Sequence, residues 1–253
     1  KCNIKMEDFL VRINKPYFNG LLILSILGLF FFLRNPSGNK KNSRFYIAFS
    51  FLILVVFYEF ASVYLLVDKK LNQFFHELIT DVPFKGYNVW VFNIFNYLIS
   101  KILLVIWINL FITNPKLKKS ISFLLVGFII SSLIIIFSRY EEISYFFTVI
   151  PFLGYVLSII ASGLFFVDLI TSDSYLSINP MRFIPFWLIT FNLFQNVILL
   201  LADIASDYLA FNNVQLYYIF NYISQILYIL MLISIVVIFI NRGLFIEKKV
   251  ETA

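Results

Sequence analysis

Two ionisable side chains interrupt long apolar runs. Glu59 lies in Phe57-Tyr-Glu-Phe-Ala-Ser-Val-Tyr-Leu65, and Lys101 lies in Ile94-Phe-Asn-Tyr-Leu-Ile-Ser-Lys-Ile102. An isolated charge at the centre of a bilayer costs about 2.5–3.5 kcal/mol on insertion scales, so such residues turn toward other protein groups and pair. Counted along their helices at 1.5 Å per residue, Glu59 falls about 12 Å and Lys101 about 20 Å below the same membrane boundary. Two long side chains can close that offset. A carboxylate facing an ammonium would form a ligand or ion pocket. The alternatives are a structural bridge, or a lysine that snorkels alone.

A second set of residues is neutral but polar. Asn192, Gln195 and Asn196 stand at i, i+3 and i+4 and share one helix face. Asn221 and Gln225 stand at i and i+4, as do Asn96 and Ser100. Around a polar cavity these amides would hold a small ligand. As hydrogen bonds between helices they contribute about 0.6 kcal/mol each and need no ligand. The ligand or polar-core candidates are therefore Glu59, Asn96, Lys101, Asn192, Gln195, Asn196, Asn221 and Gln225.

Other chemistry is poorly represented. The chain has one His, His76, and one Cys, Cys2, which excludes a disulfide framework or a Cys/His metal site within a single chain. There is no paired-His motif, nucleophile elbow or Walker loop, and Glu141-Glu142 lacks the companion spacings of a membrane metalloprotease. The last apolar run has no lysine for a retinal Schiff base. The expectation is no catalytic residue, no metal and no cofactor. Asp203, Asp207, Arg139, Glu141 and Glu142 form either an outward-facing charged rim or ordinary solvated loop charge.

Helices must position these residues. Of the 253 residues 61% are hydrophobic and 13% charged, and mean hydropathy is +0.90. Soluble domains carry about 25% charged residues, so a water-soluble fold would expose a prohibitive apolar surface. Phe occurs 32 times against 8 Gly and 7 Pro, too few turn residues for an all-β chain. The formal charge of +6 comes from short basic clusters between apolar runs rather than from a patch, which argues against nucleic acid as a partner.

With about 20 apolar residues needed per crossing, the sequence predicts an all-α, seven-span membrane bundle in one membrane domain, 1–253. The spans fall near 17–33, 45–67, 88–112, 120–138, 144–168, 183–205 and 215–241. The basic residues Arg34, Lys40, Lys41, Arg44, Lys116, Lys118, Lys119, Arg182, Arg242, Lys248 and Lys249 share one side and outnumber those on the other. The positive-inside rule then puts the amino terminus outside and the carboxyl terminus inside a bacterial cytoplasmic (inner) membrane.

The numbering opens at Lys1 rather than Met, and Met6 offers an alternative start, so no functional role is expected of Cys2. Arg34 and Pro36 follow the first apolar run without a small-residue cleavage site, which reads as a retained span. The outside loop 68–87 contains an amphipathic stretch with Leu71, Phe74, Phe75, Leu78 and Ile79 on one stripe, suited to a helix in the membrane interface. It acts as an ordered cap or as a ligand-gated lid. Pro151 and Gly154 predict a kink in span five. Gly154, Ser158 and Ser162 form a small-residue stripe, read as a packing seam.

Ile94-Phe-Asn-Tyr-Leu-Ile-Ser-Lys-Ile102 also matches Ile219-Phe-Asn-Tyr-Ile-Ser-Gln-Ile226 with one residue omitted. This suggests a 3+1+3 pseudo-repeat in which span four restores the orientation of the second triplet.

Four segments carry a wider likeness: Phe57–Leu65; Asn88–Ile112 with the basic turn Lys116–Lys119; Ser177-Ile-Asn-Pro-Met-Arg-Phe-Ile-Pro-Phe-Trp187; and Tyr218-Ile-Phe-Asn-Tyr-Ile-Ser-Gln-Ile-Leu227. The chain resembles uncharacterised small seven-span membrane proteins of Bacteroidetes, which in turn resemble the membrane input regions of histidine kinases. That resemblance implies a non-enzymatic sensor or accessory subunit acting through a membrane or cytoplasmic signalling partner. The rival reading is a small-solute carrier of the 3+1+3 type. A lipid-modifying enzyme would need acid–base residues that are missing. A continuous polar cavity between the triplets favours the carrier, and a dry, closed bundle favours the subunit.

Overall fold

The computed structural model of the chain describes residues 2–86, 88–143, 148–176, 178–205 and 211–241. Asp207, Arg242, Lys248, Lys249 and the expected start of span five at 144–147 lie outside the described residues. Among the described residues seven helices, of 18 to 27 residues, are long and apolar enough to cross a membrane. At 1.5 Å per residue they run about 27–40 Å, against a hydrocarbon core of about 30 Å. The chain is an integral membrane protein.

The spans are Pro16–Arg34, Ser43–Val67, Phe92–Asn109, Pro115–Ser138, Val149–Thr171, Ile184–Ile204 and Val214–Ile240. Side-chain caps fix many of the starts. Asn42 accepts from the Arg44 amide, Asn114 from Lys116 and Asn213 from Leu216, each satisfying an amide that the first turn leaves unpaired. Asn114-Pro115 starts span four five residues earlier than the apolar pattern suggests. Lys116, Lys118 and Lys119 therefore belong to its first turns rather than to a loop.

Consecutive spans are neighbours within each triplet: one packs on two, two on three, five on six and six on seven. Span seven returns against span one and span three meets span five, so the six helices enclose a shared interior. Span four packs on spans three and five through the single stripe Ile121, Leu125, Phe128 and Ser132. Its other side exposes Phe123, Val126, Ile130, Ile134 and Phe137, the surface a helix presents to lipid.

Two expectations change. Pro151 is the third residue of its helix rather than an interior one. A proline in the first turn removes no intrahelical bond, so span five needs no kink there. In the amphipathic helix Lys69–Ile79, the face turned into the protein is set by Asn72 and His76, both buried, while Phe74 and Leu78 are exposed. His76 Nε2 bonds the Val82 carbonyl at 2.6 Å. The helix thus docks by polar groups and keeps part of its apolar stripe outward, the orientation of an interfacial helix.

A further helix, Cys2–Ile13, which the apolar pattern does not flag, packs on span two with Phe9 edge-on to Tyr64 at 5.8 Å.

The end of the bundle opposite the Lys69–Ile79 helix is stitched together. The Arg44 guanidinium donates to the Leu110 carbonyl at 3.1 Å and lies 5.0 Å from the Phe111 ring centre. Trp107 Nε1 donates to the Arg44 carbonyl at 2.8 Å. Asn35 Nδ2 donates to the Phe239 carbonyl at 2.9 Å. The Tyr175 hydroxyl donates to the Phe111 carbonyl; burial, with the nearby Asp168 charge, holds that phenol above its usual range and so keeps the proton it donates. Asp168, fully buried, accepts from the Thr113 amide at 2.7 Å and the Asn114 amide at 3.0 Å.

Candidate functional site

The polar residues meet where span three is not an α-helix. Phe92–Ser100 runs as a π-helix and becomes α-helical at Lys101. The i→i+5 bonding of a π-helix widens the turn beyond the 3.6 residues of an α-helix, and such stretches recur at functional sites. Phe92, Asn96, Tyr97, Ser100 and Lys101 all line one space, with Asn96/Ser100 and Tyr97/Lys101 stacked as i, i+4 pairs. Gly154 of span five lets this stretch pack closely. A Cβ there would stand 3.2 Å from both the Tyr97 carbonyl oxygen and Lys101 Cγ. The expected small-residue seam therefore has a definite use, which is to let the span three backbone approach. Further along it, Ser162 accepts from Asn192 at 2.9 Å.

That face of span three looks into a cavity of about 280 Å³. Its polar lining includes Tyr17 from span one, Tyr58 and Glu59 from span two, Gln195 from span six, and Asn221, Gln225 and Tyr228 from span seven. Most of these lie about 10–20 Å from the end bearing the Lys69–Ile79 helix, at 1.5 Å per residue. Below, Ala48, Phe51, Leu104, Trp107, Leu188 and Ile235 leave no room for a water molecule. The cavity is thus a blind pocket in one half of the membrane region. Between spans one and seven it continues into a more apolar groove of about 870 Å³, with Tyr17, Glu59, Asn221 and Gln225 common to both spaces.

Of the residues expected from sequence, Glu59, Asn96, Lys101, Gln195, Asn221 and Gln225 line the cavity. Asn192 and Asn196 stand behind its wall and are fully buried. These last two are bonded: Asn196 Nδ2 donates to both oxygens of Asn192 at 2.7 Å, and Asn196 Oδ1 accepts from Lys101 Nζ at 2.7 Å. The Lys101 ammonium also lies 5.2 Å from the Tyr155 ring centre. By contrast, among the described residues the side chains of Asn96, Gln195, Asn221 and Gln225 make no hydrogen bond to protein. One set of amides acts as interhelical glue; the other is left facing the cavity.

The charged pair read from sequence does not form. Glu59 accepts from the Tyr17 hydroxyl at 2.8 Å, Lys101 donates to Asn196, and among the described residues no ion pair joins them. The offset between their helices is met by two neutral partners instead. Both side chains are nonetheless buried, Glu59 at 9% and Lys101 at 6% exposure, and both face the same space.

The sequence reading passes over the tyrosines. Tyr17, Tyr58, Tyr97, Tyr155 and Tyr228 line the cavity, and the Tyr58 and Tyr228 hydroxyls bond each other across spans two and seven. Their signal was available: a phenol inside an apolar span needs a partner for its hydroxyl. The repeated Ile-Phe-Asn-Tyr segments place Asn96 and Asn221 on one cavity, but the first is π-helical and the second α-helical. Their likeness does not extend to backbone geometry.

Among the described residues, no group of three or more His, Cys, Asp or Glu side chains is placed to hold a metal ion. Comparison of the chain with protein-family models, with curated proteins and with solved structures finds no match.

Proposed function

We propose that the protein binds a small polar solute within the membrane and carries it, taking it from the side that bears the Lys69–Ile79 helix. The observation that supports this is the set of amides, Asn96, Gln195, Asn221 and Gln225, that face the cavity with no hydrogen-bond partner among the described residues. Amides at this depth normally bond a neighbouring helix, as Asn192 does with Ser162 and Asn196 with Lys101. Leaving a polar group unpaired in hydrocarbon costs several kcal/mol. Donors and acceptors converging on a cavity between two helix triplets are what a solute site requires.

A second reading, a sensor acting through a protein partner, draws on the stitched end and on the resemblance to histidine-kinase input regions. A carrier must open that end, whereas a sensor need only transmit occupancy to a partner. Both readings take the stitched end to be cytoplasmic in a bacterial inner membrane, with the amino terminus outside; the excess of basic residues at that end supports this orientation.

The test uses purified protein in lipid nanodiscs, screened by thermal unfolding against amino acids, amines, sugars and nucleosides. A bound solute at about 100 times its dissociation constant stabilises by about 2.7 kcal/mol. The expected result is stabilisation by one chemical class, lost in Asn221→Leu and Gln195→Leu, with counterflow of the same solute into proteoliposomes. Binding without counterflow selects the sensor. Stabilisation that survives both substitutions places the solute elsewhere and contradicts both readings.

A further inference from the structure

We infer that the solute is a zwitterion, its ammonium group held at Glu59 and its anionic group at Lys101. This rests on the binding reading above and names its ligand class. Glu59 and Lys101 are each more than nine-tenths buried, carry opposite formal charges and line one cavity. Among the described residues each has a single neutral hydrogen-bond partner, Tyr17 for the carboxylate and Asn196 for the ammonium.

A buried charge without a counter-charge costs several kcal/mol, and evolution usually relieves it by pairing the two charges directly. Here the bundle holds the two apart instead. Tyr17 draws Glu59 toward spans one and seven, where the cavity meets the groove. Asn196, itself fixed by Asn192, holds Lys101 toward spans five and six, over the Tyr155 ring. The two groups therefore line one cavity of about 280 Å³ from different spans.

A cation alone would satisfy Glu59 and leave Lys101 uncompensated; an anion alone would do the reverse. A solute carrying both groups compensates both. Its remaining hydrogen bonds fall to the amides of Asn96, Gln195, Asn221 and Gln225, which can donate or accept as required. Phe92, Tyr58 and Tyr228 line the same space. They supply aromatic surface of the kind that favours an ammonium group.

The experiment is calorimetric titration of the full chain in nanodiscs with four matched compounds: 4-aminobutyrate, butylamine, butyrate and neutral butyramide. Glycine, 3-aminopropanoate and 6-aminohexanoate then vary the charge separation. The expected result is that one of these amino acids binds at least about tenfold more tightly than butylamine or butyrate. Glu59→Gln should reduce its affinity to near that of butyrate, and Lys101→Met to near that of butylamine.

Butylamine or butyrate binding as tightly as every amino acid overturns the proposal, as does no binding by any of them. Butyramide binding with no zwitterion binding overturns it while leaving the solute-binding reading intact. The comparison among ligands uses the native chain, so it holds even if a variant fails to fold.

Discussion

Replacing Asp168 by Ala should lower the stability of the bundle by about 3 kcal/mol, the largest single effect expected of any side chain at the stitched end. Its carboxylate accepts from two backbone amides, Thr113 and Asn114, and from the Thr113 hydroxyl at 3.0 Å. Hydrogen bonds to a charged group are worth about 1.5–3 kcal/mol each, and their removal leaves buried donors unsatisfied. These amides belong to the turn joining spans three and four, so Asp168 fastens that turn to span five. Asp168→Asn keeps an acceptor and should lose less. Thermal unfolding of both variants in detergent micelles checks this. An Ala variant as stable as the native chain would mean that the turn is held by its other contacts alone.

Gly154→Leu should be comparably damaging, for the opposite reason. A Cβ at Gly154 already crowds the Tyr97 carbonyl and Lys101 Cγ. The lysine methylene can shift; the carbonyl belongs to the π-helical backbone and can move only with it. Overpacking a close-packed site costs about 1–3 kcal/mol. Here it would also push the Asn96, Tyr97 and Lys101 face out of alignment. The expected result is a lowered unfolding temperature together with loss of any solute-induced stabilisation. Gly154→Ala, needing a shift of a few tenths of an ångström, should retain most of both. A Leu variant that still responds fully to solute would show that the π-helical approach is unrelated to the site.

The spans were legible in the sequence because twenty-residue apolar runs have no other stable home. Their packing order was not, since lipid-facing and protein-facing positions are equally apolar, as span four illustrates. Glu59 and Lys101 announced themselves by charge, and both face the interior. What the sequence concealed was their partners. Tyr17 precedes Glu59 by a whole helix, and nothing in the Asn192–Asn196 face reveals which amide would take Lys101 and which would stay free. The π-helical stretch was hidden too. Ile-Phe-Asn-Tyr reads identically in spans three and seven, yet in span three it packs closely against Gly154 while in span seven Ile219 and Tyr222 are exposed. Asp168 was missed because it sits near a span end, where a carboxylate looks solvated until the 111–115 turn folds over it.

Asn96, Asn221 and Gln225 face an open polar cavity, while Asn192 and Asn196 serve as packing. Single cysteines at these positions, in a chain whose one other cysteine, Cys2, is replaced by Ser, report on this difference. Intact cells are treated with a charged, membrane-impermeant thiol reagent. Rapid modification is expected at Asn96→Cys, Asn221→Cys and Gln225→Cys, reached from outside as at Lys70→Cys. None is expected at Asn192→Cys or at lipid-facing Ile130→Cys. Cavity positions as unreactive as Ile130→Cys would contradict this, and the bundle would then be a closed one.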